Sequence, residues 1–195
     1  MQIKTLTTED LREIYYVNMV HEFPEAELKP FAAIDKLLQR NMYLCFGLFE
    51  DETLEGYAFL VREDGNDQLL LDYYVVLEEF RDQGLGTSFM TMLRAACKDY
   101  AAILVEVADP DYAADDTDLA ARKRRISFYE RNGYKDTGIR NSLYGADYRI
   151  MQRKLSLEGP DVPAYPGLDA LYHEILGDQY GIRLQYRTTG AAQNA

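Results

Sequence analysis

Residues 68–107 place the tightest constraint on how this chain can fold. Gln68 to Val76 is an apolar run of strand length; it stops at Leu77-Glu78-Glu79-Phe80-Arg81-Asp82-Gln83, and Gly84 and Gly86 follow at once. Leu85, Phe89, Met92, Leu93 and Ala96 then recur on one helical face, and Ala102 to Val107 is a second short apolar run. Two strands joined through a helix run parallel, so these residues predict a βαβ unit. A helix start leaves its first N–H groups without intrahelical partners and carries the positive end of the helix dipole. Glycines at that point let an anion approach bare amides, and the turn reads as an anion cradle.

Spacing narrows the choice of anion. A Walker loop needs a lysine after its second glycine, and this loop has none. A dinucleotide fingerprint needs three glycines as Gly-x-Gly-x-x-Gly, and only Gly84 and Gly86 are present. The formal net charge of −12 argues against nucleic acid, whose binding rests on Lys and Arg neutralising phosphates. The same charge concentrates cations near the surface and suits an amine-bearing partner. No apolar run reaches bilayer length, the N-terminus Met-Gln-Ile-Lys-Thr lacks a signal-peptide pattern, and a cytoplasmic location is expected with no membrane partner. Cys45 and Cys97 sit in apolar surroundings and read as core residues. Neither they nor His21 and His173 fall at metal-ligand spacing, so no metal is expected.

In chain order, Met1 to Leu6 suits a short strand and Thr7-Thr8-Glu9-Asp10 a helix start. Pro24 breaks that helix, and Phe31, Ile34, Leu37 and Leu38 mark another. Met42 to Phe49 and Leu54 to Val61 read as a hairpin, with Gly56 in the second strand permitting close backbone approach. After the βαβ unit, Ala120 to Asn132 is helical and stops at Gly133, where a left-handed cap is favoured; Tyr134 to Ile139 and Asp147 to Leu155 close the sheet. The order is βααβββαβαββ over residues 1–155. Residues 156–195 divide into a Pro/Gly-containing connector, a short amphipathic helix on Leu168, Leu171, Tyr172, Ile175 and Leu176, and a small, polar C-terminal stretch from Thr188 expected to be disordered. The helix is expected to cover this domain or to join a second subunit as a homodimer.

Two motifs in this order carry a resemblance. Val76 followed by Arg81-x-x-Gly84-x-Gly86 resembles the acyl-CoA pyrophosphate loop of the GNAT N-acetyltransferases, with Glu78 where the family usually has Pro and Asp82 where it has Gly. One strand and one helix downstream, Phe128-Tyr129-Glu130-Arg131-Asn132-Gly133-Tyr134 resembles the family's Phe/Leu-Tyr-Glu-x-x-Gly-Phe/Tyr segment. The resemblance implies an α/β (α+β) fold: a mixed, mostly antiparallel sheet with a central splayed parallel strand pair and helices on both faces. It also implies direct transfer of an acyl group, usually acetyl, from acetyl-CoA as co-substrate to an amine on a small molecule or peptide.

Carried onto this sequence, the resemblance assigns Tyr74, Val75 and Val76 to the pantetheine arm. It assigns Gln83, Gly84, Leu85, Gly86 and Thr87 to the phosphates, with Arg81 beside them. Tyr129 matches the family's proton-donating tyrosine. The base is open between Glu106 and Asp72, because an acid within a buried strand needs an explanation. Glu22, Glu25 and Glu27, in the connection that borders the family's acceptor site, and Tyr112 are candidates for binding a cationic acceptor. The rival from another class is a GNAT-like acyl-CoA-binding sensor or assembly module without turnover.

Overall fold

The computed structural model describes residues 1–24, 27–155 and 162–188. Its contacts form two compact units: Met1–Arg62 with Asp72–Ala96, and Glu63–Leu71 with Cys97–Ala195.

The first unit opens with β1 (Gln2–Thr5) and α1 (Thr8–Ile14). A capping box starts α1: Thr7 Oγ1 accepts from Asp10 N at 3.2 Å and Asp10 Oδ2 accepts from Thr7 N at 2.7 Å. The helix widens into a π turn over Tyr15–Met19, continues as α2 (Val20–Glu22), and ends as Phe23 turns extended before Pro24. Pro30 precedes α3 (Phe31–Gln39), which buries Ile34 and Leu37. A hairpin follows, β2 (Tyr43–Glu50) against β3 (Thr53–Val61), turned by Asp51 at φ 52°. The close approach expected at Gly56 is real: a Cβ there would stand 2.5 Å from the Val75 carbonyl oxygen. That carbonyl belongs to β4 (Gln68–Val76), whose second half lies in this unit and leads to α4 (Leu85–Ala96), with Phe89, Met90 and Leu93 buried. Cys45 is buried as well.

The second unit takes the first half of β4 and pairs it in parallel with β5 (Ala102–Ala108), from Gln68↔Ala102 to Leu71↔Val105. The βαβ reading thus holds. Asp115 caps α5 (Asp116–Arg131) by accepting from Asp118 N at 2.8 Å, and Gly133 at φ 79° closes it in the left-handed conformation expected of it. β6 (Lys135–Leu143) and β7 (Ala146–Lys154) form a hairpin, and β7 pairs antiparallel with β5.

The C-terminal part departs from expectation. The helix α6 (Ala164–Leu176) begins inside the stretch read as an irregular connector, because Pro166 falls in its first turn, where no intrahelical N–H is needed. Of the expected stripe, Leu168, Leu171, Tyr172 and Leu176 are buried and Ile175 is partly exposed. A short helix, α7 (Tyr180–Arg183), and an eighth strand not foreseen, β8 (Leu184–Thr188), follow; β8 pairs antiparallel with β6. Thr188, placed in the disordered stretch, closes that strand, and 189–195 and 156–161 lie outside the described residues. Hydrogen-bonded strand order is β1-β2-β3-β4-β5-β7-β6-β8, mostly antiparallel with β4 and β5 the parallel pair. Among the described residues no helix is long and apolar enough to cross a membrane.

Candidate functional site

The end of β4 and the start of α4 hold the glycine loop within the first unit. Leu77 N–H donates to the Glu55 carbonyl at 2.9 Å, and the Val75 carbonyl lies over Gly56. Odd positions here therefore bond toward β3, and Tyr74 and Val76 carry their backbone groups on the strand's other edge. A single 3-10 turn, Glu78–Phe80, then lifts the chain, and Asp82 (φ 61°) and Gly84 (φ 79°) both adopt left-handed backbone. The Gly usual at position 82 of the motif is thus replaced by a residue that tolerates the same conformation.

A Cβ at Gly84 would meet nothing within 4 Å, so open space faces the turn. Thr87 N–H and Ser88 N–H donate back to the Gly84 carbonyl at 3.1 and 3.3 Å. The amides of Gln83, Gly84, Leu85 and Gly86 bond to no acceptor among the described residues. Tyr74 braces the turn from β4: its ring stacks on Phe89 at 5.3 Å between centroids, and its hydroxyl donates to the Gly86 carbonyl at 2.5 Å. That contact fixes the first turn of α4 against the strand.

Arg81 Nε donates to the Val76 carbonyl at 2.9 Å, and its Nη2 pairs with Glu22. Its charge is already compensated, and Glu22, expected at the acceptor, serves that pair. Glu27 is exposed, with its carbonyl accepting from the Tyr73 hydroxyl at 3.3 Å, and Glu25 lies outside the described residues.

Asp72 is a member of a largely buried ion pair. Its oxygens accept from Lys29 Nζ at 2.6 and 2.9 Å, and the Tyr43 hydroxyl donates to Oδ2. Lys29 N–H also donates to the Tyr73 hydroxyl at 2.9 Å, so the chain around Lys29 is tied down on both sides. Burial, then the Asp72 charge, pushes the Tyr43 phenol well above its ordinary value, so Tyr43 remains a donor to that carboxylate. Lys29 was not singled out in the sequence: it stands in a polar connection, and only the folded chain brings it to Asp72.

In the second unit Tyr129 sits near the end of α5, buried, edge-on to Phe128 at 5.3 Å and to Tyr134 at 5.2 Å. Its hydroxyl hydrogen-bonds none of the described residues. Burial pushes its pKa up to about 12, with the nearby Arg125 charge acting in the opposite direction. Glu106, on β5, accepts a hydrogen bond from the Tyr172 hydroxyl of α6. Tyr112 is half exposed, with the Arg187 guanidinium 4.7 Å above its ring. It lines a cleft of about 250 Å³ with Asp109, Asp111, Arg140, Asp147 and Arg187, whose charges are paired: Asp109 with Arg140 and Arg149, Asp147 with Arg187. Among the described residues no cluster of His, Cys, Asp and Glu could hold a metal ion.

Known proteins supply the remaining observations. Residues 41–136 match the model of the acetyltransferase (GNAT) domain. No curated protein matches the sequence. Among solved structures, the ribosomal-protein-S18-alanine N-acetyltransferase of Escherichia coli superposes with a TM-score of 0.58 at 23% identity, over 83% of this chain and 97% of that one. A GNAT-family protein of Bacteroides thetaiotaomicron gives a TM-score of 0.65 at 21% identity, over 94% and 100%. The spermidine N-acetyltransferase of Vibrio cholerae, solved with CoA and spermine, gives 0.58 at 15% identity, over 79% and 95%. With the strand-loop-helix turn at Gly84 and the parallel pair β4 and β5 in place, residues 41–136 of the chain form an acetyltransferase (GNAT) domain.

Proposed function

We propose that this protein transfers an acetyl group from acetyl-CoA to a primary amine by direct attack of the amine on the thioester. The observation that carries the reading is the set of bare amides from Gln83 to Gly86, opening on free space at Gly84 inside the GNAT domain. Those amides and the α4 dipole would hold the pyrophosphate of CoA. The outward backbone of Tyr74 and the Val76 N–H, with Val75 between them, would pair with the extended pantetheine arm as a strand would. CoA supplies the thioester, whose carbon accepts the new bond. Two structural relatives are named for S18 alanine and for spermidine, and a GNAT domain in an acidic chain fits an amine acceptor.

The chemistry assigns the remaining roles. An alkylamine has a pKa near about 10.4 and must lose a proton before its nitrogen attacks, which calls for a base. Glu106 is the better candidate, because Asp72 is held in an ion pair with Lys29, whereas the Tyr172 hydroxyl that Glu106 accepts from is neutral. As the C–N bond forms the C–S bond breaks, and the sulfur leaves as the anion of a thiol with a pKa near about 8.5. Tyr129, held protonated by burial, would donate to that sulfur. A phenol at about 12 is a weak proton source, so Tyr129 acts first by holding the developing charge through a hydrogen bond, and proton transfer completes the step.

The engaged state of both Asp72 and Glu106 is what favours the second reading, an acyl-CoA-binding module without turnover. Thiol release from acetyl-CoA in the presence of diamines, polyamines, amino-acid amides and peptide N-termini separates the two. Turnover with at least one class is expected. CoA binding without thiol release for every class would leave the binding module as the reading.

A further inference from the structure

Glu106 meets a side chain from a helix that lies outside residues 41–136. Tyr172 is on the buried stripe of α6 and is 1% exposed. Its hydroxyl stands between two groups of the same unit, the Glu106 carboxylate on β5 and the Asn141 amide on β6. An ionised carboxylate can only accept, and the amide nitrogen can only donate. The Tyr172 oxygen therefore accepts from Asn141 Nδ2, at 2.7 Å, and its proton goes to Glu106 Oε1.

The cost of that order shows at the other end. Asn141 is 1% exposed, and its Oδ1 is buried with no hydrogen-bond partner. Rotating the amide by half a turn would satisfy Oδ1 with the Tyr172 proton and take that proton away from Glu106. The fold leaves the amide oxygen unmet and directs the proton to the carboxylate. A packing tyrosine needs no such arrangement, since either orientation fills the same space. Tyr172 is also kept protonated: burial first, then the Glu106 charge, pushes its phenol well above the ordinary value.

We infer that Tyr172, oriented by Asn141, is the positioning residue for Glu106 in acyl transfer, so that α6 is a working part of the site. A hydrogen bond to Oε1 fixes the carboxylate rotamer on β5 and so holds its second oxygen in one place. The inference rests on the transferase reading and on Glu106 as its base.

Tyr172→Phe removes one oxygen and keeps the ring. With CoA saturating, kcat and the amine KM are measured for the wild type, Tyr172→Phe, Glu106→Gln and the double variant, together with melting temperature. The expected result is a loss of kcat of about 10–100-fold in Tyr172→Phe with KM within about twofold. The double variant should be no slower than Glu106→Gln alone, because Tyr172 acts only through that carboxylate. Unchanged kcat in Tyr172→Phe, or losses that multiply in the double variant, would overturn the inference while leaving the transferase reading intact. A wild type inert toward every amine would overturn the transferase reading, and this inference with it. Should Tyr172→Phe not fold, Asn141→Ala removes the orienting amide, and unchanged kcat there overturns the inference equally.

Discussion

Gly56→Ala is the sharpest test of how the strand beside the cradle is held. Gly56 lies on β3, and its added Cβ would stand 2.5 Å from the Val75 carbonyl oxygen and 3.4 Å from the Val76 Cα. Ordinary contact begins at 3.4 Å, so β4 must retreat by about 0.9 Å at Val75. The obstacle is backbone, which has no rotamer to change. Overpacking of this kind costs about 1–3 kcal/mol. Replacing Gly by Ala recovers about 0.4–1 kcal/mol by restricting the unfolded chain, which leaves a net loss of about 1–2 kcal/mol. For a chain of this size that is a fall in Tm of roughly 2–8 °C. The same retreat displaces Tyr74 and Val76 on either side, so CoA affinity should fall about tenfold, read by calorimetric titration. Gly181→Ala is the control: its Cβ would meet nothing within 4 Å, its φ is not positive, and no loss is expected. Gly56→Ala with wild-type Tm and wild-type CoA affinity would refute the argument.

Gly84→Glu puts a carboxylate where the phosphates would rest, on backbone at φ 79°, and should weaken CoA binding at least about 100-fold while the chain stays folded; retained affinity would move the cradle elsewhere. Tyr129→Phe should lower kcat about 100-fold near pH 7 with the amine KM little changed, and unaltered kcat would reduce Tyr129 to a packing residue. Asp72→Ala strands the buried Tyr43 hydroxyl and leaves Lys29 without its carboxylate. It should cost about 2–4 kcal/mol in urea titration, and a cost below about 1 kcal/mol would mean the ion pair is dispensable. At alkaline pH the sign follows from Tyr129 and Tyr73, both raised by burial to about 12 from an ordinary 10. Below pH 10 both folded and unfolded chains keep these protons; between 10 and 12 only the folded chain does, so stability falls as pH rises through that window. The buried thiols of Cys45 and Cys97, likewise raised by burial from an ordinary 9, start the fall at about pH 9. The urea midpoint should decline from there and more steeply above 10, less so in Tyr129→Phe, and a midpoint level to pH 11 would contradict the assignment.

What the sequence could reveal was set by how local each interaction is. The βαβ unit was readable because its helix stripe and its two apolar runs each carry their own period, and Gly56 and Gly133 because a close approach and a left-handed cap ask for glycine by name. The start of α6 was hidden by Pro166, which reads as a breaker unless the first turn is already known. Leu184-Gln-Tyr-Arg-Thr is a strand only because β6 offers it an edge, from Leu143↔Leu184 to Ile139↔Thr188. The site divides in the same way. The cradle is contiguous in sequence and its glycines announced it, whereas the partners that decide what each acid does are far away: Lys29 is 43 positions from Asp72, and Tyr172 is 66 from Glu106. Tyr172 was visible as part of an apolar stripe. Its hydroxyl, the part that matters to Glu106, has no signature in a hydrophobic period.

The strand lengths have a bearing on solubility. In each unit the outermost strand is the shortest: β1 has 4 residues beside the 8 of β2, and β8 has 5 beside the 9 of β6. An open strand edge is a template on which another chain can add, and its reach scales with the row of unpaired N–H and C=O groups it displays. Short terminal strands keep that row brief, and β8 carries Arg187, a charge unwelcome in a stacked sheet. Removing 184–188 would uncover β6 from Ile139 to Leu143. The five residues of β8 therefore close part of the β6 edge, from Ile139 to Leu143, with a shorter strand that displays fewer unpaired groups of its own.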